Sequence, residues 1–284
     1  MLYIFGGYGY IGSGLRNELE RRQLTYLSPT RLEVDLSDLK SISNWLTKVK
    51  AKPEPDDSVI YLVSNAKRSD WSNSGIHIPA VHLRNLFSIF QDCHFIYTSS
   101  VDIYGTPRIL PITENSPISI ESPYALSKLG AEETLFQHLR PARYLVLRLP
   151  GIYGGSDPRV SVLNKFVFSL INQEKVKIRN MQVLKLQRDW IYKEDLIAAI
   201  LRMAEEKACG VFNFVSGSSR TIDWWIRTLA TELSLPLHYE IEAIDKDDQG
   251  FDLTFNADKL RTEFSWLTFS HLSITSFLDN SADL

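Results

Sequence analysis

The chain starts with an apolar run, Leu2-Tyr3-Ile4-Phe5, followed by three glycines at three-residue spacing, Gly6, Gly9 and Gly12. That order predicts a strand, a tight turn and a helix running from about Tyr10 to Arg22. A strand that feeds straight into a helix must bend sharply, and glycine bends at low cost because it has no Cβ. The helix start then presents unpaired N–H groups and the positive end of its dipole, a ready site for an anion such as a pyrophosphate. Gly6, Gly9 and Gly12 take the turn, close-approach and packing roles of a dinucleotide fingerprint. Their spacing is Gly-x-x-Gly-x-x-Gly, which differs from the commoner Gly-x-Gly-x-x-Gly.

The rest of the chain keeps the rhythm that this opening sets. Strand-like runs at Thr25–Ser28, Val59–Ser64, His94–Ser99, Tyr144–Arg148 and Val211–Val215 alternate with amphipathic stretches at Asp38–Lys50, Pro79–Gln91 and Pro123–Leu139. Such alternation predicts an α/β fold with a doubly wound parallel sheet. Asp38 reads as the N-cap of its helix. The rhythm loosens at 151–187 and after Ser216. The expected layout is a dinucleotide-binding domain at 1–150, rejoined by 188–215, and a smaller substrate lobe from 151–187 and 216–284. The net charge of −3 offers no basic footprint for nucleic acid. Two cysteines, Cys93 and Cys209, make no disulfide framework and suit a reducing cytoplasm. A strand beginning at residue 2 leaves no room for a signal peptide, and no apolar run is long enough to span a membrane. The six histidines do not cluster at metal-ligand spacing, so no metal is expected. Trp224-Trp225 falls in the amphipathic stretch Thr221–Leu233 and reads as lobe core.

Chemistry enters with Tyr124-Ala125-Leu126-Ser127-Lys128. Four residues apart, the phenol and the ammonium share one helix face. A free phenol has a pKa of ~10 and is a poor base at neutral pH. A nearby ammonium favours the phenolate. Ser99 and Ser100 end the strand-like run before this helix. A dinucleotide site beside an activatable tyrosine points to hydride chemistry at a carbonyl or alcohol carbon.

Taken in order, these motifs resemble the extended short-chain dehydrogenase/reductases of the NAD-dependent epimerase/dehydratase family. The resemblance runs through Gly6–Gly12, Asp35-Leu36-Ser37-Asp38, Ser99-Ser100 with Ile103-Tyr104-Gly105, Tyr124 with Lys128, Arg148-Leu149-Pro150-Gly151-Ile152-Tyr153-Gly154, and Arg188-Asp189-Trp190. It implies a Rossmann-like sheet and a catalytic set of Ser100, Tyr124 and Lys128, Ser100 being chosen because it stands four residues before Tyr104. It further implies cofactor contacts at Gly6, Gly9, Tyr10, Ile11, Gly12, Arg31, Asp35, Lys128 and Pro150, and substrate contacts at Ser100, Asp102 and Arg188. The stretches Pro79–Gln91 and Pro123–Leu139 resemble the helices that pair across a homodimer in similar proteins.

Three departures refine the expectation. No acid stands between Tyr26 and Arg31, where an NAD site carries one for the adenosine ribose. Ser28, Thr30 and Arg31 instead suit the 2′-phosphate of NADP, with Asp35 left to the adenine region or to local backbone capping. The dehydratases of the family carry an Asp-Glu pair where this chain has Val101-Asp102, and valine cannot move a proton. A second diphosphate-binding arginine is missing from the acidic stretch Asp245–Asp252, unless Lys246 or Arg261 turns inward. The reading is an NADP-preferring oxidoreductase that reduces a keto group of a nucleotide-linked sugar. The alternatives are an NAD-dependent nucleotide-sugar epimerase and, in another class, a non-catalytic dinucleotide sensor.

Overall fold

A computed structural model describes residues 1–64, 71, 74–155, 161–241, 250–273 and 275–278. The chain divides into two compact units. The first comprises Met1–Gly105, Pro117–Leu149 and Ile197–Phe212, and the second Thr106–Ser116, Pro150–Leu196 and Asn213–Leu284.

The first unit alternates strand and helix: β1 (Leu2–Phe5), α1 (Tyr10–Arg21), β2 (Tyr26–Leu27), α2 (Leu39–Lys48), β3 (Ser58–Tyr61), α3 (Ile78–Phe90), β4 (His94–Ser100), α4 (Pro123–His138) and β5 (Tyr144–Leu149). The second unit adds β6 (Gly151–Tyr153), α5 (Val162–Ile171), β7 (Val176–Ile178), β8 (Gln187–Arg188) and β9 (Trp190–Tyr192). Helix α6 (Lys193–Glu205) leads into β10 (Gly210–Asn213). Next come β11 (Arg220–Thr221), α7 (Ile222–Glu232), β12 (Tyr239–Ile241), α8 (Asp258–Glu263) and α9 (Thr275–Leu278).

The central sheet has the order β10-β5-β4-β3-β1-β2. The pairs β1–β2, β1–β3, β3–β4 and β4–β5 are all parallel. Strands β3, β4 and β5 are buried along their full length, as parallel strands covered on both faces must be. Successive strands move to one side of β1 and then to the other, so the strand order reverses at β1. Ligands of such sheets bind outside the carboxyl ends of the strands at that reversal. The turn after β1 lies there, and β4 delivers Ser100 to the same edge of the sheet.

One face of the sheet packs its aromatic side chains against α3 and α4. Phe87 meets Phe95 edge-on at 4.8 Å, and Tyr3 meets Phe90 at the same distance. The helices α3 and α4 also pack on each other. Asp38 caps α2 as its sequence suggests, accepting from the Lys40 N–H at 2.9 Å.

The second unit has its own core. Tyr153 stacks between Tyr192 and Phe277 and lies against Trp225. Only half of the tryptophan pair is core. Trp225 is 6 % exposed and donates to Arg188 O, whereas Trp224 is 41 % exposed. The pair is consecutive on α7, and neighbouring helical positions point 100° apart, so they cannot share a face.

Candidate active site

The glycine turn is built to bring backbone close to backbone. Gly6 has φ +93°, a conformation that a side chain would strain. A Cβ on Gly12 would stand 2.3 Å from Gly6 O, so only glycine lets α1 start this close to the turn. A Cβ on Gly9 would meet only Gly6 O, at 3.4 Å. Gly9 is the N-cap of α1, and no side chain caps that terminus. The first N–H groups of α1, at Tyr10, Ile11 and Gly12, therefore belong to an uncapped helix end beside an open glycine. This is a cradle that fits a pyrophosphate.

At the end of β2 the expected phosphate ligands are unequal. The Ser28 hydroxyl donates to Ile4 O at 3.0 Å. Thr30 donates its N–H and its hydroxyl to the Glu33 carboxylate at 2.8 and 2.9 Å. Those two bonds hold Glu33 below the usual carboxylate range. The Ser28 hydroxyl and both Thr30 donors are thus engaged within the protein. Arg31 is exposed, with no ion pair among the described residues. Glu33, three residues beyond Thr30, brings a carboxylate to the end of β2 that lies outside the Tyr26–Arg31 stretch. The Asp35 carboxylate accepts from Ser37 N at 2.9 Å, the backbone-capping alternative for that residue.

Ser100, Tyr124 and Lys128 all fall in the first unit, on β4 and α4. Pro123 opens α4 at a position where its missing N–H costs nothing, and Ser122 caps it through Ala125 N at 3.1 Å. Those signals set the helix register that puts Tyr124 and Lys128 on one face. The Lys128 ammonium lies 5.6 Å from the centre of the Tyr124 ring and 5.2 Å from that of Tyr97. It donates to Thr98 O, two residues before Ser100, at 2.8 Å. Lys128 is buried, and the loss of water pulls its pKa down to about 8, against the opposing pull of Glu132 and Asp102. Tyr124 is half-buried. The Ser100 oxygen accepts from Asp102 N at 3.2 Å and so caps a single 3₁₀ turn, Val101–Tyr104. That bond uses the hydroxyl as acceptor and leaves its proton available to donate. Val101 is buried.

Beneath this set lies a network that the motifs did not reveal. Arg148 on β5 forms a bidentate pair with Glu132 on α4, its Nη2 donating at 2.7 Å and its Nε at 3.1 Å. Its Nη1 donates to the Tyr104 hydroxyl at 2.8 Å. The one signal for it was the spacing, since Glu132 stands a helical turn beyond Lys128.

Pro150 and Arg188 belong to the second unit. Arg188 donates from Nη1 to Gln187 O and Phe251 O, each at 2.7 Å, and lies over the Phe251 ring. Arg261 is exposed and donates to Ser216 O. Asp252 accepts from Gln187 N at 2.8 Å. Residues 245–249 of the acidic stretch, Lys246 among them, lie outside the described residues. No metal-binding cluster occurs among the described residues.

A model of the NAD dependent epimerase/dehydratase family matches residues 2–214. A putative UDP-glucose 4-epimerase of Methanocaldococcus jannaschii is 32 % identical over 43 % of the chain, and the match spans only 40 % of that relative's length. A GDP-6-deoxy-D-mannose reductase of Pseudomonas aeruginosa is 25 % identical over 81 % of the chain and 79 % of its own. Among solved structures, Bordetella bronchiseptica WbmH in complex with NAD+ superimposes with a TM-score of 0.78 at 20 % identity, covering 99 % of this chain and 98 % of that one. RMD from Pseudomonas aeruginosa complexed with NADPH gives 0.76 at 21 % identity, covering 98 % and 96 %. These likenesses bear out the expected fold.

Proposed function

Because the chain belongs to the NAD dependent epimerase/dehydratase family, we propose that it is an NADP-preferring oxidoreductase that reduces a keto group on a nucleotide-linked sugar. The observation that carries this reading is the Lys128 ammonium, anchored to the strand end two residues before Ser100 and lying over the Tyr124 ring.

The residues present fit a dinucleotide. The uncapped start of α1 receives the pyrophosphate, Arg31 the 2′-phosphate, and Lys128 the nicotinamide ribose. When bound, the reduced nicotinamide supplies the hydride. Tyr124 gives its phenolic proton to the carbonyl oxygen as that oxygen gains charge. Ser100 donates a hydrogen bond to the same oxygen. The Lys128 charge stabilises the negative charge left on Tyr124, and a proton from solvent restores the phenol. Asp102 orients substrate beside this set, and in the second unit Arg188 meets the diphosphate. Val101 argues against water elimination, because valine has no proton to exchange. A homodimer joined through α3 and α4, working in the cytoplasm, is part of the same proposal.

An epimerase that retains NAD is the second reading. Two observations favour it: the Glu33 carboxylate near the end of β2, and the likeness to the Methanocaldococcus epimerase. The deciding experiment incubates purified protein with NADPH and nucleotide-linked 4-keto sugars. Loss of reduced cofactor matched to loss of ketosugar supports the reductase. Sugar interconversion with no net cofactor loss supports the epimerase.

A further inference from the structure

The Arg148–Glu132 pair is almost fully removed from water, with side-chain exposures of 6 % and 0 %. Stability alone does not account for it. Burying two charges costs several kcal/mol per ion, and apolar replacements of similar volume are often as stable or more so. Its placement is more informative. Glu132 lies on α4 four residues beyond Lys128, Arg148 pairs across from Ser99 on β4, and Tyr104 closes the turn that Ser100 caps. The three side chains therefore join the helix that carries Tyr124 and Lys128 to the strand and turn that carry Ser100.

The carboxylate of the pair stands one helical turn beyond Lys128 and, together with Asp102, favours the charged form of Lys128 against the burial that lowers it. Among the described residues, the groups around Lys128 are Thr98 O and the Tyr97 ring from β4, Asp102 from the 3₁₀ turn, and Tyr124 and Glu132 from α4 itself. Of these, only Glu132 and Asp102 bring opposite charge.

We propose that the Glu132–Arg148–Tyr104 chain is a positioning device, which fixes α4 against the Ser100 turn and holds the Glu132 carboxylate one helical turn beyond Lys128. Glu132 and Arg148 touch neither substrate nor cofactor in this scheme; they act through Lys128 and the turn. The inference builds on the assignment of Lys128 and Tyr124 to the site, and its test reads Lys128 without turnover.

The test follows the lysine side-chain resonances of full-length protein through a pH titration, with Lys128→Arg to assign the signal. In the wild type Lys128 is expected to titrate at about 8, below the ordinary lysine range because it is buried. Glu132→Gln is expected to lower that midpoint by ~1 unit, the scale of a lost neighbouring charge. The double variant Glu132→Met/Arg148→Met removes both charges together, which the energetics of buried pairs predict to be tolerated, and lowers the midpoint by less than Glu132→Gln, because the repelling Arg148 charge leaves with the carboxylate. Tyr104→Phe keeps both charges. It leaves the midpoint in place but raises amide hydrogen exchange at residues 100–105 and at the start of α4 by ~10-fold, as expected of a loosened local unit. An unmoved Lys128 midpoint in either folded charge variant overturns the inference. So does unchanged exchange in Tyr104→Phe. A lowered midpoint alongside full turnover in Tyr124→Phe would leave the device standing and sink the catalytic reading instead.

Discussion

At the scale of single residues, Lys128 meets two demands that pull against each other. It must be buried to reach Thr98 O, and burial weakens the charge that gives it value. With its pKa at about 8 it stays mostly protonated at pH 7, which suits a group that stabilises negative charge on Tyr124. Tyr124→Phe is expected to keep cofactor affinity while turnover falls by at least ~100-fold, the scale of a lost acid/base. Fluorescence titration with NADPH and steady-state rates would check both halves. At the adenosine end two neighbours act in opposite senses. Arg31→Ala should weaken NADPH by roughly 10- to 100-fold with little change for NADH, since a charge-assisted contact is worth ~1.5–3 kcal/mol. Glu33→Gln should move preference towards NADPH, because it removes a negative charge bonded to Thr30. Paired binding measurements with both cofactors test the two variants together. Arg31 was legible in the sequence as a candidate phosphate partner. Glu33 was not, because its carboxylate reaches its place only by folding back three residues onto Thr30.

At the scale of elements, local signals did most of the work. The limits of β1 are those the apolar run marks, and α1, α3 and α4 end within one residue of their expected limits. The reasons are physical: glycines stop β1, Pro123 starts α4, and Asp38 caps α2. β3 is shorter than its apolar run, ending at Tyr61, because the ladder to β1 ends at Phe5 where the glycine turn begins. Pairing of that kind is set by the neighbouring strand and cannot be read from one segment. The Arg148–Glu132 pair escaped notice for the same reason, since its partners are sixteen residues apart on different elements. The turn after β1 makes the sharpest prediction here. Gly12→Ala places a methyl 2.3 Å from Gly6 O, a backbone atom that cannot swing away. It should cost ~1–3 kcal/mol of stability, the scale of overpacking, and abolish dinucleotide binding. Urea denaturation and cofactor titration would show it.

At the scale of the whole molecule, two buried histidines tie the fold to pH. His82 bonds Tyr61 through Nδ1 at 3.0 Å and Ser37 through Nε2 at 3.1 Å, and His94 bonds Ala208 O through Nε2 at 2.7 Å. Burial lowers both from the usual 6.5 to about 4. Each is neutral in the fold, so the unfolded chain takes up more protons below pH 6.5. The stability that these two histidines contribute is therefore fully present above about pH 6.5 and falls steadily towards pH 4. Urea midpoints across that window should decline, and His82→Gln should flatten the decline. A decline as steep in the variant would acquit His82. The sheet and the division into strand–helix repeats were legible in the sequence, while the positions of Arg188 and Arg261 depended on contacts within the second unit that no motif encodes. No helix among the described residues is long and apolar enough to cross a membrane. The central claim is that the site spends one reduced cofactor for each ketosugar it converts. It is tested most directly by mass spectrometry and absorbance on the purified protein, first as isolated and then during turnover with NADPH. The account predicts little retained NAD and NADPH oxidation in step with loss of ketosugar. Stoichiometric bound NAD, with sugars interconverted and no net cofactor consumed, would contradict it.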